Sequence, residues 1–186
     1  MPSSDTSGSP EKPQSNTGPA DKRQPRDRRK GTLKRSLARL AAIQALYQME
    51  MSGATAGEVV DEFLRHRLND EVDGLDLSEA DRTLLADLVR GTTAERDRLD
   101  DMLAAVLNDD WPIDRLERLL RILLRTAVYE LSERLDTPVK VVITEYMNLA
   151  HSFFSEKEPS LVNGVLDRIA RSLRPEELEE DGGSAS

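Results

Sequence analysis

Apolar residues recur at three- and four-residue intervals along most of this chain, the spacing that places them on one face of a helix. A first helix is predicted over Lys34–Met51, with Leu37, Leu40, Ala41, Leu46 and Tyr47 on its inner face. Ser52-Gly53 reads as its stop. A second runs from Thr55 or Ala56 to Leu68 and turns Val59, Val60, Phe63 and Leu64 inward. Asn69 to Leu77 is acidic, contains Gly74 and reads as a loop. Ser78-Glu79-Ala80-Asp81 has the pattern of a capping box opening a long helix, whose apolar positions run from Leu84 to Leu107. Gly91-Thr92-Thr93, in its middle, either kinks it or lets a neighbour cross closely.

Trp111-Pro112 interrupts the period, and Trp111 is expected to plug the edge of the core. The most hydrophobic helix follows, from Pro112 or Ile113 to Leu135. Its apolar positions cover more than half its circumference, so it should be central. Asp136-Thr137-Pro138 is a turn, with Thr137 as N-cap and proline at the first helical position. Val139–Ile143 could pass for a strand, but Tyr146, Met147, Leu149, Ala150 and Phe153 continue at helical spacing. A polar loop over Ser155–Pro159 leads to a last helix, Ser160–Leu173. Six or so helices, short connections and no confident strand define an all-α helical bundle.

Composition refines the boundaries. Residues 1–20 are Ser, Pro, Gly, Thr and Gln with almost no apolar content, and 21–30 turn basic, so 1–33 reads as a disordered arm, basic from residue 22. The folded domain is expected over 34–173 and a disordered acidic tail over 174–186. There is no cysteine, which excludes disulfides, thiolate zinc sites and cysteine nucleophiles. No apolar run approaches the ~18 residues of a membrane span and no signal peptide opens the chain, so a soluble cytoplasmic protein is expected.

The net charge of −9 hides an asymmetry. Residues 22–39 hold nine Lys or Arg and one acid, a local +8. Lys34, Arg35 and Arg39 lie at or just inside the start of the first helix, where cations oppose the helix dipole. Local stability does not explain them. A bound polyanion would, and a solvated basic edge is the alternative. On the central helix, Asp114 and Glu117 precede Arg118 and Arg121 by four residues, the orientation of intrahelical pairs. Arg125 is embedded among apolar residues and should pair with an acid such as Glu145.

Catalytic chemistry finds no foothold. His66 and His151 lie on different helices without neighbours at metal-ligand spacing. There is no phosphate loop, nucleophile elbow or HExxH. The sequence implies no enzyme, no metal and no cofactor.

Four stretches, ARLAAIQALYQ (38–48), LRTAVYEL (124–131), TPVKVVITEYMNLAHSF (137–153) and LVNGVLDRIA (161–170), together resemble the NusB family of bacterial transcription antitermination factors. The resemblance implies two packed three-helix units. It also implies binding of single-stranded boxA RNA in ribosomal RNA leader transcripts, jointly with the small-subunit ribosomal protein that doubles as NusE, within an RNA polymerase antitermination complex. Carried over by position, the RNA face would include Lys34, Arg35 and Arg39, together with Phe153, Glu156, Lys157 and Leu161. The protein partner would meet Tyr47 and Leu120. Lys157 stands where some relatives carry an acid. The runner-up is a non-catalytic RNA-binding domain of the kind fused to ribosomal RNA cytosine methyltransferases. A purely protein-binding adaptor is a third reading, and a homodimer stays open.

Overall fold

The computed structural model describes residues 25–66, 71–72, 75–108, 110–155 and 157–179. The expected arm up to residue 24, the end of the tail from 180, and Glu156 lie outside them. Helix α1 (Pro25–Ser52) starts nine residues before the expected start at Lys34, at a proline. Proline suits a first helical position because its missing N–H would be unpaired there anyway. The basic residues from Arg26 to Lys34 therefore ride on the helix, correcting the expectation that the arm reaches residue 33. Gly53 ends α1 with φ +73°, the left-handed conformation that glycine adopts freely, and its N–H returns to the Met49 carbonyl at 2.9 Å.

Helix α2 (Ala56–Arg65) opens on a reciprocal cap between Thr55 and Glu58 and buries Val59, Val60 and Phe63. The acidic loop contains a two-residue antiparallel ladder, β1 (Glu71–Val72) with β2 (Leu75–Asp76), and then a 3-10 turn over Leu77–Glu79. That turn takes up the expected capping box. The cap of α3 (Arg82–Ala94) is Asp81, whose carboxylate accepts the N–H groups of Thr83 and Leu84. The expected long helix is two, because Glu95 (φ −104°, ψ 15°) leaves the helical region before α4 (Arg96–Ala104).

Gly91 serves a close crossing. A Cβ there would lie 1.9 Å from Cζ of Tyr129, so the tyrosine ring rests on the α3 backbone where any side chain would collide. Trp111 packs, partly buried, against the core edge, as expected. A 3-10 turn over Ile113–Arg115 delays the central helix, and α5 spans Arg118–Glu133. Every residue from Ile122 to Leu131 on it is buried. Helix α6 (Val139–Phe153) receives no side-chain cap from Thr137, contrary to expectation. Its cap comes from far along the chain: Glu177, on α8 (Pro175–Glu179), accepts the Val139 N–H at 3.1 Å. Arg174 is buried beneath it and donates to the Thr137 carbonyl at 3.0 Å. The expected fraying after Leu173 is thus corrected as far as Glu179.

Helices α1, α2 and α3 pack on one another, as do α5, α6 and α7 (Lys157–Leu173). Contacts of α1 and α3 with α5 join the two groups, and α4 packs against α5. The fold is an all-α bundle of two three-helix units, built around a continuous core of Leu, Val, Ile and Ala. Among the described residues, no helix is long and apolar enough to cross a membrane.

Candidate nucleic-acid interface

The first half of α1 is a basic ridge. Arg29, Lys30, Lys34 and Arg35 are all exposed. Lys34 pairs with Glu79 at 2.8 Å, and its carbonyl accepts the Asp81 N–H at 2.9 Å, which ties the ridge to the start of α3. Arg35 lies near the turn before α6. Asp136 there is held below the usual carboxylate range, chiefly by its hydrogen bond from Arg134, and Arg35 contributes to the same pull.

Arg39 is not part of this ridge. Its side chain is 1% exposed and belongs to the core. Nε and Nη2 donate to the two carboxylate oxygens of Glu130 at 2.9 and 2.6 Å, and Nη1 donates to Glu145 at 3.2 Å. The Tyr146 hydroxyl completes the group by donating to Glu130 at 3.0 Å. Burial pulls the Arg39 guanidinium down, the bonds and charge of Glu130 more than offset it, and the group ends above its ordinary value. Burial also pushes the Tyr146 hydroxyl well above its usual value, so it stays a protonated donor. The expected phosphate contact through Arg39 is therefore corrected: its donors are spent inside the protein. The signal was legible, since Arg39 is in phase with buried Ala42, Ile43 and Leu46, and Glu130 is a lone acid in an apolar run.

The expected Arg125–Glu145 pair is also corrected. Arg125 forks onto Asp100 at 2.6 and 2.7 Å and reaches Glu50 at 3.1 Å. Arg118 and Arg121 turn to the same Glu50, at 3.5 and 3.8 Å, rather than to acids of their own helix.

Farther along α1 the surface becomes apolar. Phe153, half-buried at the end of α6, lines a groove of about 280 Å³ with Ile43, Gln44, Tyr47, Gln48, Leu119 and the acid Glu117. Tyr47 is 40% exposed there. Phe153 also meets Phe154 edge to face, with ring centroids 6.2 Å apart. The structure thus brings together Tyr47 and Phe153, which the resemblance assigned to different partners. Leu120 is 1% exposed and belongs to the core, so its assignment to a partner surface is corrected. Its neighbour Leu119 faces the groove instead. Lys157 is exposed at the start of α7. Leu161 lines a separate cleft with Leu107, Gly164 and Arg168. Nine residues of α1, a rise of roughly 13 Å at 1.5 Å per residue, separate Arg35 from Gln44.

His66 and His151 are both exposed, and no group of acids or histidines among the described residues could hold a metal ion. Fold and surface define an all-helical protein whose first helix bears a basic stretch and, farther along, one wall of an aromatic groove. The NusB family profile matches residues 36–171, and the chain belongs to the NusB family of transcription antitermination factors, which are not enzymes. It is 47% identical over 142 residues to the transcription antitermination protein NusB of Rhizobium etli (strain CIAT 652), covering 76% of this chain and 89% of that one. With NusB of Sinorhizobium fredii (strain NBRC 101917 / NGR234) the identity is 46% over the same shares. Among solved structures, T. maritima NusB superposes with a TM-score of 0.62 at 28% identity, over 77% of this chain and 96% of that one. A crystal structure of the antitermination factors NusB and NusE in complex with dsRNA gives 0.59 at 25% identity, over 74% and 96%. The match begins at residue 36, so Lys34 and Arg35 precede it and α8 follows it.

Proposed function

We propose that this protein binds boxA RNA of ribosomal RNA leader transcripts together with a NusE-type ribosomal protein, in the cytoplasm, and so promotes processive transcription by RNA polymerase. The observation that carries the reading is that α1 bears both an exposed basic stretch and one wall of the Tyr47–Phe153 groove. Single-stranded RNA is gripped by that combination, with cations fixing phosphates and aromatic faces receiving bases. Membership of the NusB family, and the likeness to a relative crystallised with NusE and RNA, support the choice of ligands. Lys34, Arg35 and Lys157 hold phosphates in this reading, Phe153 meets a base, and Tyr47 lies where RNA and protein partner adjoin. If these cations neutralise about three phosphates, log K falls with log salt at a slope near −2.

The test is a titration of boxA RNA, a scrambled RNA and a boxA duplex, each with and without the ribosomal protein. Sequence-dependent binding to the single strand, tightened by the partner, is the expected result. Equal, weak binding to all three RNAs, unmoved by the partner, would reduce the ridge to generic attraction and favour the protein-adaptor reading. A preference for the duplex would overturn the single-strand assignment.

A further inference from the structure

Gly91 on α3 and Gly164 on α7 both stand inside helices, where glycine costs stability relative to alanine. Gly91 has its reason within the protein, since a Cβ there would collide with the ring of Tyr129. Gly164 has none of that kind. Nothing lies within 4 Å of the place its Cβ would take, and its backbone is not in the left-handed region. Neither packing nor conformation asks for glycine at this position. What a bare stretch of helix backbone offers is close approach from outside, as the Tyr129 ring approaches α3 at Gly91.

Gly164 lines a cleft of about 140 Å³ between α7 and the segment that follows α4. Leu107 and Leu161 give the cleft partly buried apolar surface, and Asn108 and Ser160 stand exposed beside them with an amide and a hydroxyl. Arg168 Nη1 donates to the Val106 carbonyl at 2.9 Å, which ties the two sides together. No acid among the described residues lines the cleft. Lys157, Leu161, Gly164 and Arg168 follow one another at four, three and four residues, so they share one face of α7 over roughly 16 Å at 1.5 Å per residue. Both cations are exposed, and neither pairs with an acid among the described residues; Asp167, beside Arg168, is taken by Arg171. A cation at each end of an apolar strip without a side chain at its middle suits single-stranded RNA, whose phosphates seek cations and whose bases stack on flat apolar surface. An apolar protein segment would use the strip but leave both cations unanswered.

We propose that the cleft between Leu107 and Leu161 is a slot for one base of single-stranded RNA. The base lies on the bare backbone at Gly164, Asn108 and Ser160 face its polar edge, and Lys157 and Arg168 hold the flanking phosphates. The slot rests on the RNA reading given above and extends it to a specificity-determining position, Gly164, which admits the base because it carries no side chain.

The experiment measures boxA RNA affinity and thermal unfolding of the full chain for the natural protein, Gly164→Ala and Gly164→Leu. Alanine is the better residue in a helix interior, so Gly164→Ala should raise Tm by roughly 2–4 °C and yet weaken RNA binding. Gly164→Leu should lower RNA affinity about tenfold, the worth of one stacked base. A set of boxA RNAs, each with a single nucleotide made abasic, then locates that base. One position should cost about tenfold with the natural protein and nothing further with Gly164→Leu. Should leucine disturb the fold, Gly164→Ala carries the same cycle. RNA affinity equal in all three proteins would overturn the slot and leave the boxA reading standing, whereas no RNA binding by the natural protein would overturn both. A fall in Tm for Gly164→Ala would return the glycine to the fold and overturn the argument from it. Intact RNA binding with weakened binding of the NusE-type ribosomal protein would assign the cleft to a protein segment and overturn the base assignment.

Discussion

Arg39 and Arg125 are both nearly buried arginines, each held by two carboxylates, yet their surroundings differ. Arg39 meets Glu130 and Glu145, whose side chains are 0% and 13% exposed, and Tyr146 closes the group. Its single positive charge faces two acids, and each of its guanidinium nitrogens has an acceptor. Arg125 meets Asp100 and Glu50, both partly exposed, and shares Glu50 with two further guanidiniums. The first group fixes α1 against α5 and α6. The second leaves charge over at the surface. A buried arginine is therefore an interior tie in one place and part of a network shared with surface arginines in the other, and the number of cations sharing its acids separates the two cases.

The largest effect expected from this contrast comes from breaking the sealed group. Arg39→Met leaves Glu130 as an uncompensated buried charge and should lower unfolding free energy by about 3–5 kcal/mol in urea titrations. The double variant Arg39→Met/Glu130→Leu should regain most of that, since removing both charges also removes the desolvation cost. A double variant as unstable as the single one would show that the group's geometry, not its charge balance, is what matters. Arg125→Met should be milder, roughly 1–3 kcal/mol, because Asp100 can rehydrate and Glu50 keeps Arg118 and Arg121. Equal losses for Arg39→Met and Arg125→Met would erase the distinction drawn here.

At the periphery the effects shrink. Glu177 is held below the usual carboxylate range, first by the Val139 N–H it accepts and then by Arg174. Its folded pKa is depressed, so the stability it adds is present above the unfolded carboxylate range and is lost as pH falls through the folded value. Glu177→Gln should cost about 0.5–1 kcal/mol near neutral pH, the usual worth of a helix cap. The gap between variant and natural protein should close as the pH is lowered below about 4. A gap independent of pH would mean that the cap does not depend on the carboxylate's charge. Smallest in stability is Arg35→Ala, within about 0.5 kcal/mol for an exposed residue. It should nonetheless weaken boxA binding and flatten the salt slope by about 0.7. An unchanged slope would remove Arg35 from the RNA surface.

Helical spacing was sufficient to read the bundle, because amphipathic periodicity records which face of a helix is covered. It placed α5 at the centre and Trp111 at the core edge, and it marked Gly91 as a crossing or a kink. The helix start at Pro25 was missed because a basic, polar helical segment has no apolar period to reveal it. The charge pairs were misread for a different reason. Spacing along one helix shows neighbours at four residues, whereas Arg39, Arg118, Arg121 and Arg125 all find their acids on other helices, and that depends on how the helices are rotated and stacked. The groove was half legible: Tyr47 and Phe153 were singled out, but their meeting on one surface, and the exchange of Leu120 for Leu119, needed the fold.

The cap that α8 places on α6 also orders events in time. Protein chains are made from the N-terminus, so α6 is synthesised before the residue that closes its first turn has been joined to the chain. Until Glu177 and Arg174 follow, the Val139 N–H and the Thr137 carbonyl have only water to bind. The beginning of α6 is thus finished only after a segment 38 residues farther along has been made. A newborn protein acquires the anchored α6 only after residue 177 has been made and has emerged to reach it.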